Sequence, residues 1–188
     1  MKKLIFLLFF ITCLSACGFK LRGAMPLAPP LYNLYLETSD PYGELARHLR
    51  QFLKMSGVQL AQNAAEATSI LTILSQSTSD QLIGINGSQQ TRQYNLVLTV
   101  TFQVSNAKNR VLVSPQTVTE SRALTVINDQ VLASSNEAMN LYSQMRRDIV
   151  YDIMSRLSSA DITAQLTTPN VNSTHPTIQK KMTHAAQR

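Results

Sequence analysis

From Gln93 to Val104 the chain alternates almost without a break. Tyr94, Leu96, Leu98, Val100, Phe102 and Val104 share one parity. Gln93, Asn95, Thr99, Thr101 and Gln103 share the other, with Val97 the apolar exception. A period of two sustained this long excludes a helix and requires a long strand with one face in a core. The opposite face is polar but uncharged. A sheet surface that merely meets water usually carries Lys and Glu, so Thr, Asn and Gln suit a hydrogen-bonded, partly dehydrated setting. Ordinary solvent is the competing reading.

The flanks extend this strand into an antiparallel unit. Ile70-Leu71-Thr72-Ile73-Leu74 begins a strand before it, and Asn86-Gly87 is a strong hairpin signal between the two. Residues 105–110 turn the chain, and residues 111–127 return it. Pro115 cannot donate to a ladder, so this last strand is an edge or is bulged there.

Upstream, Tyr32, Leu34 and Leu36 alternate with Asn33, Tyr35 and Glu37, the period of a half-buried strand. Asp40-Pro41 reads as an N-cap followed by proline at the first helical position. Leu45, Leu49, Phe52 and Leu53 form one helical stripe, with Glu44, Arg47, Arg50 and Lys54 facing away, and Gly57 closes the helix. Val58-Gln59-Leu60 resumes an extended run, which predicts a right-handed βαβ start. After Asn128-Asp129, Ser134 and Glu137 have the spacing of a capping box. Leu141, Met145, Ile149, Ile153 and Leu157 form a second buried stripe. Asp152 and Arg156 are placed as an i, i+4 ion pair. Met139, Met145 and Met154 read as core filling or as an adaptable binding surface.

The first residues place the chain in a cell. Lys2 and Lys3 precede the apolar run Leu4 to Ile11, the n- and h-regions of a secretory signal. That run is far short of the ~20 residues a spanning helix needs. Leu14-Ser15-Ala16-Cys17 looks like a bacterial lipobox, so Cys17 is expected to be acylated and to become the first residue of the processed protein. Two or more acyl chains make an effectively permanent anchor. Gly18 follows, where an Asp would resemble an inner-membrane retention signal, so the outer membrane is favoured. Cys13 and Cys17 are the two cysteines, which leaves the processed domain no disulfide or thiolate site. The formal charge of +6 falls to +4 once the two signal lysines are removed. That is too diffuse for nucleic acid.

The expected organisation is therefore a signal peptide over residues 1–16, a lipidated Cys with a Pro-rich linker over 17–30, an α/β domain over 31–160, and a disordered tail over 161–188. Pro26, Pro29 and Pro30 make the linker semi-rigid. Thr, Asn, Ser and Gln without period characterise the tail.

No catalytic constellation assembles. His48 lies four residues after Glu44 on one helical face, and His175 and His184 fall in the tail. Asp148 and Asp152 share a face surrounded by Arg146, Arg147 and Arg156, which describes surface ion pairs. Gly84 to Gly87 is a turn without the helix start that a phosphate cradle needs. The serines lack a nucleophile-elbow pattern. The expectation is a non-enzyme without cofactor or metal.

Cys17-Gly18-Phe19-Lys20-Leu21-Arg22-Gly23, Thr38 to Leu45 leading into a helix that ends Ser56-Gly57-Val58, Gln93 to Leu98, and Asn128 to Ala133 before Asn136-Glu137 occur in a particular order. In order and spacing the chain resembles the lipopolysaccharide (LPS)-assembly lipoprotein family LptE over about residues 17–158. The resemblance implies an α+β sandwich, two helices packed on one face of a four-stranded mixed β-sheet. It also implies a 1:1 partnership with the outer-membrane β-barrel LptD, in whose lumen such proteins sit as a plug. The pair places LPS in the outer leaflet, and the lipoprotein assists barrel folding and can bind LPS. Basic residues in the hairpin and in the turn before the last helix are associated with LPS contact in some relatives. Here the hairpin offers Arg92, displaced toward the strand, while the turn has Ser134 and Ser135 without a lysine. Arg92 is the candidate LPS-binding residue; a solvated hairpin charge is the alternative. The rival class is a free-standing envelope lipoprotein that binds a small apolar ligand or scaffolds another complex.

Overall fold

The structure, a computed structural model, describes residues 25–87, 91–127 and 131–167. Five strands, β1 (Asn33–Glu37), β2 (Gln59–Leu60), β3 (Ser69–Ile85), β4 (Thr91–Asn106) and β5 (Val111–Ile127), form one sheet in the order β2-β1-β3-β4-β5. β1 pairs in parallel with β2 and β3, and β3, β4 and β5 follow as an antiparallel meander. The helices are α1 (Glu44–Met55), α2 (Val131–Leu157) and α3 (Ala160–Thr167). The architecture is the expected mixed α+β sandwich. Among the described residues it has five strands rather than four and three α-helices rather than two.

The additional strand is β2, a two-residue ladder. Gln59 N–H donates to the Tyr32 carbonyl at 2.7 Å and Ala61 N–H to that of Leu34 at 3.0 Å. It is the return strand that Val58-Gln59-Leu60 predicts.

The core lies on the even face of β4. Leu96, Leu98, Val100, Phe102 and Val104 are buried with Leu45, Leu49 and Leu53 of α1 and Met145, Ile149, Ile153 and Leu157 of α2. The two predicted helical stripes meet there. Met154 joins the core, whereas Met139 stays exposed. β5 is both an edge and bulged: its partner in β4 shifts from Val113 opposite Val104 to Gln116 opposite Phe102, on either side of Pro115.

Five local expectations are corrected. The first helix begins at Glu44 with Gly43 at the N-cap and no side-chain cap, because residues 41–43 form a turn and the Asp40 backbone is held by Thr38 Oγ1 at 3.4 Å. Its other end follows the glycine rule: Gly57 has φ +83°, its N–H bonds to the Lys54 carbonyl, and Val58 N–H bonds to that of Leu53, a Schellman close. The second helix begins at Val131, so Ser134 is an interior residue and no capping box forms with Glu137. Arg156 donates to the Thr117 carbonyl at 3.0 Å, tying α2 to β5, in place of a pair with Asp152.

The fourth and fifth corrections concern the ends of the domain. Residues 161–167, assigned to the tail, belong to a helix that starts at Ala160; Ser159 Oγ accepts from Ile162 N–H at 3.3 Å and Ile162 is 3% exposed. Residues 168–188 lie outside the described structure. The linker also contributes to the core. Leu27 and Ala28 are buried, Pro29–Leu31 form a 3-10 turn, and Ser69 Oγ donates to the Pro30 carbonyl at 2.9 Å. Ala28 is extended, Pro29 and Pro30 open the turn, and the apolar residues between the prolines reach the core. Ile162→Ala is expected to lower stability by about 2–4 kcal/mol in denaturant titration. A change within about 0.5 kcal/mol would show that α3 does not dock.

Candidate functional site

The odd face of β4 gains its meaning from the register. Thr101 lies between Ser75 and Thr117, Thr99 between Ser77 and Thr119, Val97 between Ser79 and Ser121, and Asn95 between Gln81 and Ala123. Gln93 lies between Gly84 and Thr125. Directly opposed residues share a face, so five successive rows across three strands carry no charged side chain. Thr99 and Thr119 Oγ1 atoms are 3.2 Å apart, and those of Thr101 and Thr117 are 3.0 Å apart. The hydroxyls satisfy one another along the sheet, which lowers the cost of removing them from water. Asn95, Val97, Thr99 and Thr101 of β4 are half-buried by their neighbours, while Gln93, Ser75, Ser77, Ser79, Gln81 and the odd positions from Thr117 to Thr125 are exposed. Among the described residues the helices pack on the other face.

The charges of the same strands lie on the other face. Arg122 donates to Glu120 Oε2 at 2.9 Å and to Asp148 Oδ2 of α2 at 2.7 Å. Asp148 therefore binds β5 across the layer rather than arginines of its own helix.

Arg92 stands near the hairpin end of β4, opposite Ile85 and Val126. It is exposed, and no hydrogen bond or ion pair holds it among the described residues. The adjacent row is Leu82, Tyr94 and Leu124; Leu82 is 50% and Ile85 53% exposed. An unengaged guanidinium thus borders an exposed aliphatic strip on the helix side of the sheet, a polarity pattern that fits an anionic amphiphile. Ser134 is buried, as part of α2. Cys17 lies outside the described residues.

A polar cluster that sequence reasoning missed joins the helices. Glu44 accepts from Ser143 Oγ and, at 2.9 Å, from Arg146 Nη1, while His48 Nε2 lies 3.5 Å from its other oxygen. The partners are about a hundred residues apart in sequence, so spacing gave no signal. The Ser143 hydrogen bond chiefly lowers the Glu44 pKa, against the opposing effect of burial, with His48 and Arg146 adding to the lowering. A lowered carboxylate stabilises the fold above its unfolded value near 4.5, and that contribution is lost as pH falls through the lower folded value. Between pH 6 and 3 the melting temperature should therefore fall further in the parent than in Glu44→Gln; parallel curves would refute the linkage. A polar cavity of about 190 Å³ adjoins Glu44 and Arg146, but these two ions already neutralise each other. Among the described residues no three His, Cys, Asp or Glu side chains are grouped to hold a metal.

A helix-backed mixed sheet with an uncharged open face defines a small α+β domain. The sequence model of the LptE family, described as lipopolysaccharide-assembly, matches residues 31–157, and the chain belongs to that family. An LPS-assembly lipoprotein LptE of Yersinia enterocolitica is 38% identical over 91 residues, 48% of this chain and 44% of that protein. One from Pectobacterium atrosepticum is 36% identical over 91 residues, 48% of this chain and 50% of the relative. The match thus spans about half the length of these curated relatives. Among solved structures, a lipoprotein B from Nitrosomonas europaea superposes with TM-score 0.64 at 26% identity, covering 79% of this chain and 95% of that one. A minor lipoprotein from Acinetobacter baumannii gives TM-score 0.58 at 26% identity, covering 71% and 93%.

Proposed function

We propose that this protein is an outer-membrane lipoprotein, anchored through Cys17, that works with an LptD-like β-barrel to assemble LPS into the outer leaflet. It lodges in the barrel lumen as a plug, in a 1:1 pair, and assists folding of the barrel. The observation that carries this reading is the uncharged face of β3, β4 and β5, on a domain of the LptE family. A face enclosed by a second protein must lose water, and paired hydroxyls lose it far more cheaply than Lys or Glu. The lipobox supplies membrane attachment. Cys17→Ala is expected to leave unacylated precursor; a processed, acylated product would refute that assignment.

Arg92 is the proposed LPS contact. Its planar fork suits the phosphates of lipid A, and the neighbouring Leu82 and Ile85 offer a surface to the acyl chains. Arg92→Ala should weaken LPS binding to the isolated lipoprotein by about tenfold, the scale of one charge-assisted contact. Folding and barrel recovery should be unaffected. Unchanged LPS binding would remove Arg92 from the site.

A further inference from the structure

β1 ends at Glu37, opposite Thr72, and beyond that point no strand pairs with this side of β3 among the described residues. Residues 74–85 therefore form a free edge about 40 Å long. Alternation determines which main-chain groups it exposes. Asn86 N–H donates to the Thr91 carbonyl at 3.0 Å and Asn106 N–H to the Arg110 carbonyl at 3.0 Å, so the odd residues of β4 face β3 and the even ones face β5. Beyond the irregularity between Ile73 and Ser75, Ser75, Ser77, Ser79 and Gln81 lie opposite those odd residues, which leaves the outward role to even positions. The N–H and C=O groups of Gln76, Thr78 and Asp80 thus point away from β4.

Proteins normally protect such edges with proline, charge or distortion. β5, the opposite edge, has Pro115, Glu120 and Arg122. Residues 74–85 have no proline and one charge, Asp80. From Ser75 to Gln81 the side chains are polar, and Leu82, Ile83 and Ile85 after them are exposed and apolar, with Ile83 58% exposed. Moreover, Ser75, Ser77, Ser79 and Gln81 belong both to this edge and to the uncharged face.

We infer that the free edge of β3 docks an extended, uncharged polypeptide segment of the enclosing partner by main-chain pairing, adding a strand to the sheet. The inference rests on the proposed enclosure of the neighbouring face. Continuity between face and edge makes one partner the occupant of both.

The test is affinity purification of the full lipoprotein from detergent-solubilised envelopes, followed by amide exchange over residues 74–85 in the free and complexed states. Exchange is expected to slow by about tenfold or more in the complex. Thr78→Pro deletes one outward N–H while sparing the β4 ladder and should lower barrel recovery by about fivefold. Thr78→Val keeps the N–H and should recover the barrel normally. Normal recovery with Thr78→Pro, or unchanged exchange in a complex that does form, overturns the edge inference and leaves the enclosure intact. Failure to recover any barrel overturns both. Equal protection in a self-associated form without the barrel assigns the edge to a second copy and likewise overturns the inference. Where Thr78→Pro fails to fold, exchange in the parent protein decides.

Discussion

With Thr99 and Thr101 both replaced by aspartate, recovery of the β-barrel partner should fall by about a hundredfold, because desolvating an unpaired charge costs several kcal/mol. The isolated domain should remain folded. Both positions lie on the face without helices, in rows of Ser75, Thr101, Thr117 and Ser77, Thr99, Thr119. In the free protein, water can solvate the new carboxylates at the cost of two threonine hydrogen bonds. Against a barrel wall it cannot. Measuring melting temperature and co-purification on the same preparations separates the two effects. Normal barrel recovery from the double variant would return this face to ordinary solvent and remove the main support for enclosure.

The second large effect concerns the other side of the same strand. Phe102→Ala should cost about 3–5 kcal/mol, a large fraction of the 5–15 kcal/mol typical of a whole domain. Phe102 is fully buried, lies opposite Ile73 and Gln116, and belongs to the core that gathers β3, β4, α1 and α2. Tyr151, half-exposed on α2, provides the control: Tyr151→Ala should stay within about 0.5 kcal/mol. Similar losses from both would contradict the placement of the core.

These predictions depend on unequal amounts of sequence information. The alternation from Tyr94 to Val104 specified a strand and its buried face, since period two has no competing local explanation over that length. The stripes of α1 and α2 were legible for the corresponding helical reason. α3 was not: Ile162 and Leu166 are two contacts in an eight-residue helix, too few to establish a period within a polar stretch. The prolines before β1 predicted an extended spacer, but Pro29 and Pro30 enter a 3-10 turn, and Leu27 and Ala28 are buried. The boundary of α1 was misplaced because Asp40-Pro41 serves a turn as readily as a helix start.

The candidate site was half visible. One strand revealed an uncharged polar face; only the register showed that Ser75 to Gln81 and Thr117 to Thr125 extend it across three strands. The same register set Arg92 beside Ile85 and one row from Leu82. The Glu44–Ser143–Arg146 cluster depends on helices meeting in three dimensions, so it had no local signature.

The most direct measurement is the composition of the complex recovered when the intact lipoprotein is affinity-purified from detergent-solubilised envelopes. The account predicts one large β-barrel protein in a 1:1 ratio with it. Recovery of the lipoprotein alone, under conditions that preserve other barrel complexes, would contradict it.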